Sequence, residues 1–119
     1  MDKILGIDVG GQRIKLWYNN SINKIVSSKD LDKQKLLEII KDFCKNINKN
    51  PKLIGISHPG EVENNCVVDG HFHDYPGGLS IDDLKPLGFE KAIMLNDADS
   101  SAFYASQKYN SNRVVAITF

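Results

Sequence analysis

A chain of 119 residues, 41% apolar and 25% charged, is long enough to bury a core without the help of disulfides or metals. With 15 basic residues against 15 acidic ones, it has no surplus of positive charge to neutralise phosphates or an anionic lipid surface, which argues against nucleic acid and membrane as partners. Its longest apolar runs fall far short of a bilayer span.

At the start, Met1-Asp2-Lys3 leads straight into Ile4-Leu5-Gly6-Ile7-Asp8, and the carboxylate arrives before the apolar core of a secretion signal could form. A cytoplasmic location is expected. Segments 4–9 and 14–18 flank a Gly10-Gly11-Gln12-Arg13 turn, and a third apolar segment, 22–26, follows Asn19-Asn20. They predict three consecutive antiparallel strands. From Leu36 the period changes: Leu36, Ile40, Phe43 and Ile47 recur at helical spacing. The amphipathic helix they predict starts near Asp30 or Asp32 and ends by Asn50-Pro51. Residues 53–57 form a short apolar run, as expected of a buried parallel strand, and end at His58-Pro59-Gly60.

The stretch 61–88 is rich in turn residues and is expected to be a long loop with one short helical turn at 80–84, a length that usually signals function in a compact domain. A further buried strand is expected at 92–95 and a helix at 96–109, with Asp97 and Asp99 in its first turn and a stripe of Ala98, Ala102 and Ala105. A last strand is expected at 113–119. The order β-β-β-α-β-loop-β-α-β predicts an α/β domain, a mixed sheet whose three initial antiparallel strands are followed by parallel units. Cys44 and Cys66 are too far apart for a CxxC pair and are expected to be reduced and partly buried.

In open α/β sheets, ligands gather at the carboxyl ends of the strands. Three loops qualify, after Asp8, after Ser57 and after Leu95. In the first, Gly10-Gly11 leaves backbone N–H groups uncovered, so that an anion such as a phosphate can approach. Asp8 can hold Mg²⁺ through water, and Lys15 or Arg13 adds positive charge. The plainer alternative is that the two glycines supply positive φ for a hairpin. In the third loop, Asp97 can take a proton from a substrate hydroxyl and Asn96 offers donor and acceptor to a polyol; the alternative is that Asp97 or Asp99 caps a helix. His58, His71 and His73, with Asp69, Asp74 and Cys66, invite a metal reading, but no spacing among them matches a zinc pattern. Trp17, Tyr18, Phe72 and Tyr75 are expected to pack in the core or under loops, since no basic patch accompanies them.

Taken together, the motifs resemble a known family. Ile4 to Leu16, carrying Asp8-Val9-Gly10-Gly11-Gln12-Arg13, resembles the first phosphate motif of the ROK family of sugar kinases and related regulators, within the actin-like ATPase superfamily. Ile54-Gly55-Ile56-Ser57-His58-Pro59-Gly60-Glu61 resembles its Pro-Gly segment at the sugar site. Tyr75-Pro76-Gly77-Gly78-Leu79 is similar to its NLPGW loop, and Leu95-Asn96-Asp97-Ala98-Asp99 to its NDANAAA segment. The resemblance implies a ribonuclease-H-like fold, ATP and Mg²⁺ as cofactors, and transfer of a phosphoryl group to a sugar hydroxyl. It implies Asp97 as catalytic base, Asn96 and Gly60 as sugar-binding residues, and Asp8, Gly10, Gly11, Gln12 and Lys15 toward the nucleotide phosphates. Gln12 stands where the family has Thr or Ser.

Residues 114–119 resemble the strand that leads into the family's second phosphate motif. Residues 1–109 are therefore expected to be an N-terminal lobe, and 110–119 the first strand of a C-terminal lobe, without which the lobe is expected to be inactive; a homodimer through the strand at 114–119 is a further expectation. Two other function classes fit parts of the pattern. One is the non-catalytic sugar-sensing module of a ROK-type transcriptional regulator, which Gln12 favours. The other is a metal-dependent nuclease using Asp8, Asp97 and Asp99, which the zero net charge disfavours.

Overall fold

The structure, a computed structural model, describes residues 4–19, 22–69 and 73–97. β1 (Ile4–Val9), β2 (Arg13–Tyr18) and β3 (Ile22–Ser27) are followed by α1 (Lys33–Ile47) and β4 (Leu53–His58). Then come β5 (Glu61–Glu63), β6 (Cys66–Asp69), α2 (Ile81–Leu84), a 3₁₀ turn over Lys85–Leu87, and β7 (Lys91–Asn96). Five strands form one mixed sheet in the order β3-β2-β1-β4-β7. β1, β2 and β3 pair antiparallel, while β4 runs parallel to both β1 and β7.

Strict alternation decides what the sheet buries. Leu5, Ile7 and Val9 of β1, Ile14 and Leu16 of β2, and Ile54 and Ile56 of β4 join Leu36, Ile40 and Phe43 of α1 in one buried cluster. The helix starts where its cap dictates: the Asp32 carboxylate accepts from the Lys35 amide at 2.7 Å. It stops at Asn48, whose φ of 55° is left-handed and whose N–H returns to the carbonyls of Cys44 and Lys45. Cys44 and Cys66 are free, half-buried thiols, and burial pushes the Cys44 thiol above its ordinary range. Among the described residues no helix is long and apolar enough to cross a membrane.

The expected long loop is partly ordered as secondary structure. β5 and β6 form a hairpin joined by Asn64 and Asn65, both at positive φ, the conformation of a tight primed turn. Strands of three and four residues are too short to show a period, which is why alternation missed them. The helical turn expected at 80–84 is α2, where the Asp83 carboxylate accepts from the Ser80 amide at 3.0 Å. The hairpin tip also closes an edge of the main sheet. Asn65 donates to the Ala92 carbonyl and accepts from the Met94 amide, each at 2.6 Å, so that one side chain bonds to β7 as a strand neighbour would.

Trp17 differs from expectation. It is 37% exposed and lies across Gly6 on the sheet face opposite the core, because β2 alternates and Leu16 takes the inward position. Asn96 closes β7 instead of opening a helix. Of the expected second helix, Asp97 is described. The stripe of Ala98, Ala102 and Ala105, together with Asp99, His71, Phe72, the strand expected at 113–119 and the expected lobe boundary at 109/110, lies outside the described residues.

Candidate functional site

The parallel register brings three strand ends level. Asp8 of β1 sits beside Ser57 of β4, and Ser57 beside Leu95 of β7, with His58 next to Asn96. Across the antiparallel pair, Asp8 faces Lys15. Asp97, one residue beyond β7, is held from the middle strand: the Ser57 hydroxyl donates to its Oδ1 at 2.9 Å. Asp8, Ser57 and Asp97 thus form a row at the carboxyl edge of the sheet.

The electrostatics of this row are strained in one direction. Partial burial, and then the negative charge of Asp97, push the Asp8 carboxyl above its ordinary value, with Lys15 pulling it back. Two carboxylates brought together at half-buried positions are costly unless a cation or a proton shares them.

Asn96 and Gly60 meet directly. The Asn96 Nδ2 donates to the Gly60 carbonyl at 2.9 Å, and the buried Gly60 amide donates to Nδ1 of His58 at 2.9 Å. His58 is fully buried, and its Nε2 lies 3.1 Å from the Tyr75 hydroxyl. Burial, and then the Asp32 carboxylate, hold the Tyr75 phenol well above its ordinary value. His73 packs edge-on to His58, with ring centroids 6.2 Å apart, and its Nε2 reaches the Gly10 carbonyl at 3.3 Å. The loop that carries Tyr75 is tied to the start of α1 by the Lys33 ammonium, which donates to the carbonyls of Pro76 and Gly78 and pairs with Asp83 at 3.3 Å.

The turn between β1 and β2 is tight for a reason other than the positive φ weighed as the plainer alternative. Neither Gly10 nor Gly11 has positive φ. Gly10 is required by close approach: its amide donates to the Arg13 carbonyl at 2.8 Å, and a Cβ there would stand 2.7 Å from that same oxygen. Gly11 borders open space, with nothing within 4 Å of a Cβ position. Gln12 is exposed and anchors the turn through its carbonyl, which accepts from the Ser28 amide at 3.1 Å.

Of the residues singled out in the sequence, Asp8, Lys15, Gly60, Asn96 and Asp97 come together at this edge, with Gly10, Gly11 and Gln12 in the adjoining turn. His58 is engaged elsewhere: its ring nitrogens meet the Gly60 amide and the Tyr75 hydroxyl. Among the described residues there is no group of three side chains able to hold a metal ion. Ser57 was missed. It lay inside an apolar run, and only the β1–β4 register, which a sequence does not display, shows what it faces.

No protein-family model and no curated protein sequence matches the chain. Its fold matches solved sugar kinases. A glucokinase from an Antarctic psychrotroph superposes with a TM-score of 0.70 at 16% identity, over 88% of this chain and 35% of that one. A ROK family protein from Streptococcus pneumoniae, solved in complex with sucrose, gives 0.70 at 19% identity over 92% and 39%. A ROK family glucokinase from Streptomyces griseus, in complex with glucose and AMPPNP, gives 0.66 at 15% identity over 93% and 38%. The chain therefore spans little more than a third of the length of these proteins, and shares with them a mixed α/β fold.

Proposed function

We propose that this chain is the N-terminal lobe of an ATP-dependent sugar kinase of the ROK type, residues 1–109 forming the lobe and 110–119 leading into a second one. The observation that carries the reading is the Ser57–Asp97 pair at the end of the parallel strands, beside Asp8 and the Asn96–Gly60 contact. The likeness in fold to a glucokinase solved with glucose and AMPPNP, and to a ROK family protein solved with sucrose, supports it.

In this reading Asp97 is the general base. Phosphoryl transfer asks the protein chiefly for positioning and charge stabilisation, plus one carboxylate to accept the proton of the attacking hydroxyl. The hydrogen bond from Ser57 fixes Oδ1 of Asp97 and leaves Oδ2 to take that proton. The sugar is oriented by Asn96 and by Gly60, whose two backbone groups are already held in place. Lys15 lies on the same face as Asp8 and offers positive charge to the transferred phosphate. Gly11, with open space above it, and Gln12 line the approach of the phosphates, while Gly10 spends its own amide on closing the turn.

The donor set fits Mg²⁺: Asp8 would hold it through water, and the charge of Asp97 adds to its attraction. The ion would supply neutralisation of the phosphate charge. Since catalysis needs a nucleotide between two lobes, the 119-residue chain alone should bind a sugar without turning it over.

Incubating the chain with ATP, Mg²⁺ and either glucose or N-acetylmannosamine checks this; robust turnover would refute the one-lobe reading. In the longer enzyme, Asp97→Asn is expected to lower kcat by 10²-fold or more while sugar affinity holds. Unchanged turnover removes Asp97 as base.

A second reading, a sugar-sensing module of a regulator, is favoured by Gln12, which places an amide where the family has a hydroxyl. The two separate on one measurement: a sensor binds sugar with the same affinity whether or not ATP is present.

A further inference from the structure

The chemistry proposed above leaves one buried titratable group unused. His58 closes β4 on the sheet face opposite Asp8 and Ser57, fully buried, in the position expected of an ordinary core residue. Its hydrogen bonds are not ordinary. A backbone N–H can only donate, so the Gly60 amide at 2.9 Å requires Nδ1 to be unprotonated. The neutral imidazole then carries its hydrogen on Nε2, which donates to the Tyr75 hydroxyl 3.1 Å away. Tyr75, 7% exposed, stays a hydroxyl because burial and Asp32 keep it from ionising.

Gly60 is clamped from both ends by this arrangement. Its N–H goes to His58 and its C=O receives Asn96 at 2.9 Å. Because Gly60 is itself buried, water is not at hand to replace the imidazole as acceptor, and an orphaned N–H there carries its full desolvation cost.

We propose that His58, in its Nε2–H form and anchored by Tyr75, is a positioning residue that sets Gly60 for Asn96 and thereby shapes the sugar-binding edge. The proposal rests on the sugar-kinase reading for its consequence, though not for its geometry. It predicts that an acceptor at the Nδ1 position matters, beyond the bulk of the ring. Asparagine places its amide near Nδ1 and can still accept from Gly60. Glutamine reaches the Nε2 position and satisfies Tyr75, but leaves Gly60 without its partner.

The test uses the 119-residue chain in three measurements. In the parent, ¹⁵N resonances of the His58 ring should report the Nε2–H tautomer; the Nδ1–H tautomer would overturn the proposal without any variant. Amide exchange at Gly60 should stay within about threefold of the parent in His58→Asn and speed up by about tenfold in His58→Gln, the cost of one orphaned buried donor. Glucose affinity, by calorimetry, should follow the same order: retained in His58→Asn and weakened about tenfold in His58→Gln. Equal losses in both variants would make His58 a packing residue and overturn its positioning role. Should the glutamine variant fail to fold, the parent's tautomer still decides. A parent that binds neither glucose nor N-acetylmannosamine removes the sugar reading instead, while the tautomer and Gly60 exchange continue to judge His58.

Discussion

The two faces of the five-stranded sheet are made by alternate residues of the same strands, yet they carry different work. On one face Leu5, Ile7, Leu16, Ile54 and Ile56 are at most 3% exposed and share a core with α1. On the other, Ile4 and Ile93 are more than half exposed and line a cavity with Gly55, while the partly exposed Trp17 ring covers Gly6. Asp8, Lys15 and Ser57 stand at the end of that second face. The packed side fixes the register, and the open side spends the register on aligning charge. A half-buried row of carboxylates could not be held level by loops alone; it is held by strands whose other side is core.

Truncation on each face breaks the comparison most directly. Leu16→Ala removes a fully buried side chain and should cost about 3 kcal/mol. Ile93→Ala, at a position 60% exposed, should stay within about 0.5 kcal/mol. Urea denaturation of both variants decides. Equal losses would show that Ile93 is covered in solution and that the two faces are not the unlike surfaces they are taken to be.

Two glycines sharpen it further. A Cβ on Gly6 would stand 2.3 Å from the Trp17 ring, whereas one on Gly55 would meet nothing within 4 Å. Gly6→Ala must therefore push the indole off the sheet and should cost about 1–3 kcal/mol. In a Trp17→Ala background most of that cost should vanish, since the three nearest atoms all belong to that ring. Gly55→Ala should be neutral or stabilising by about 0.5 kcal/mol, because it restricts the unfolded chain without a folded-state conflict. Thermal unfolding of the four variants reads all of this, and a Gly6→Ala cost that persists without Trp17 would place the constraint in the backbone.

How much of this was legible before the structure depends on distance along the chain. α1 declared itself because Leu36, Ile40 and Phe43 recur within one helix and Asp32 caps it, all within a dozen residues. Asp8, Asn96 and Asp97 could be singled out because a polar side chain ending an apolar strand is conspicuous where it stands. Ser57 and the His58–Tyr75 contact were not legible, since their partners lie 40 and 17 residues away and only the fold brings them together. The Gly-Gly turn was visible as a turn, but its cause was hidden: the sequence suggested positive φ, and the fold instead needed room for the Arg13 carbonyl. β5 and β6 escaped because their few residues cannot establish a period, and Asn64-Asn65 alone marked the bend.

The finest test lies in the titration of Asp8, where the open face meets the site. Its carboxyl is held above the ordinary value by burial first and by Asp97 second, against the pull of Lys15. The folded chain therefore binds this proton more tightly than the unfolded chain does. The resulting contribution to stability is fully present below the unfolded value and is lost as pH rises through the folded one. Asp97→Asn deletes the second cause and leaves the first. The Asp8 titration, followed by the ¹³C resonance of its carboxyl, should move toward lower pH in that variant yet remain above the ordinary value. Lys15→Met should move it the other way, since the charge that opposes the shift is gone. A titration that falls fully to the ordinary value in Asp97→Asn would reverse the ranking, making repulsion the main cause and burial the lesser. One that does not move would mean that the two carboxylates act separately, and the row across the strand ends would then be an alignment of residues without electrical consequence.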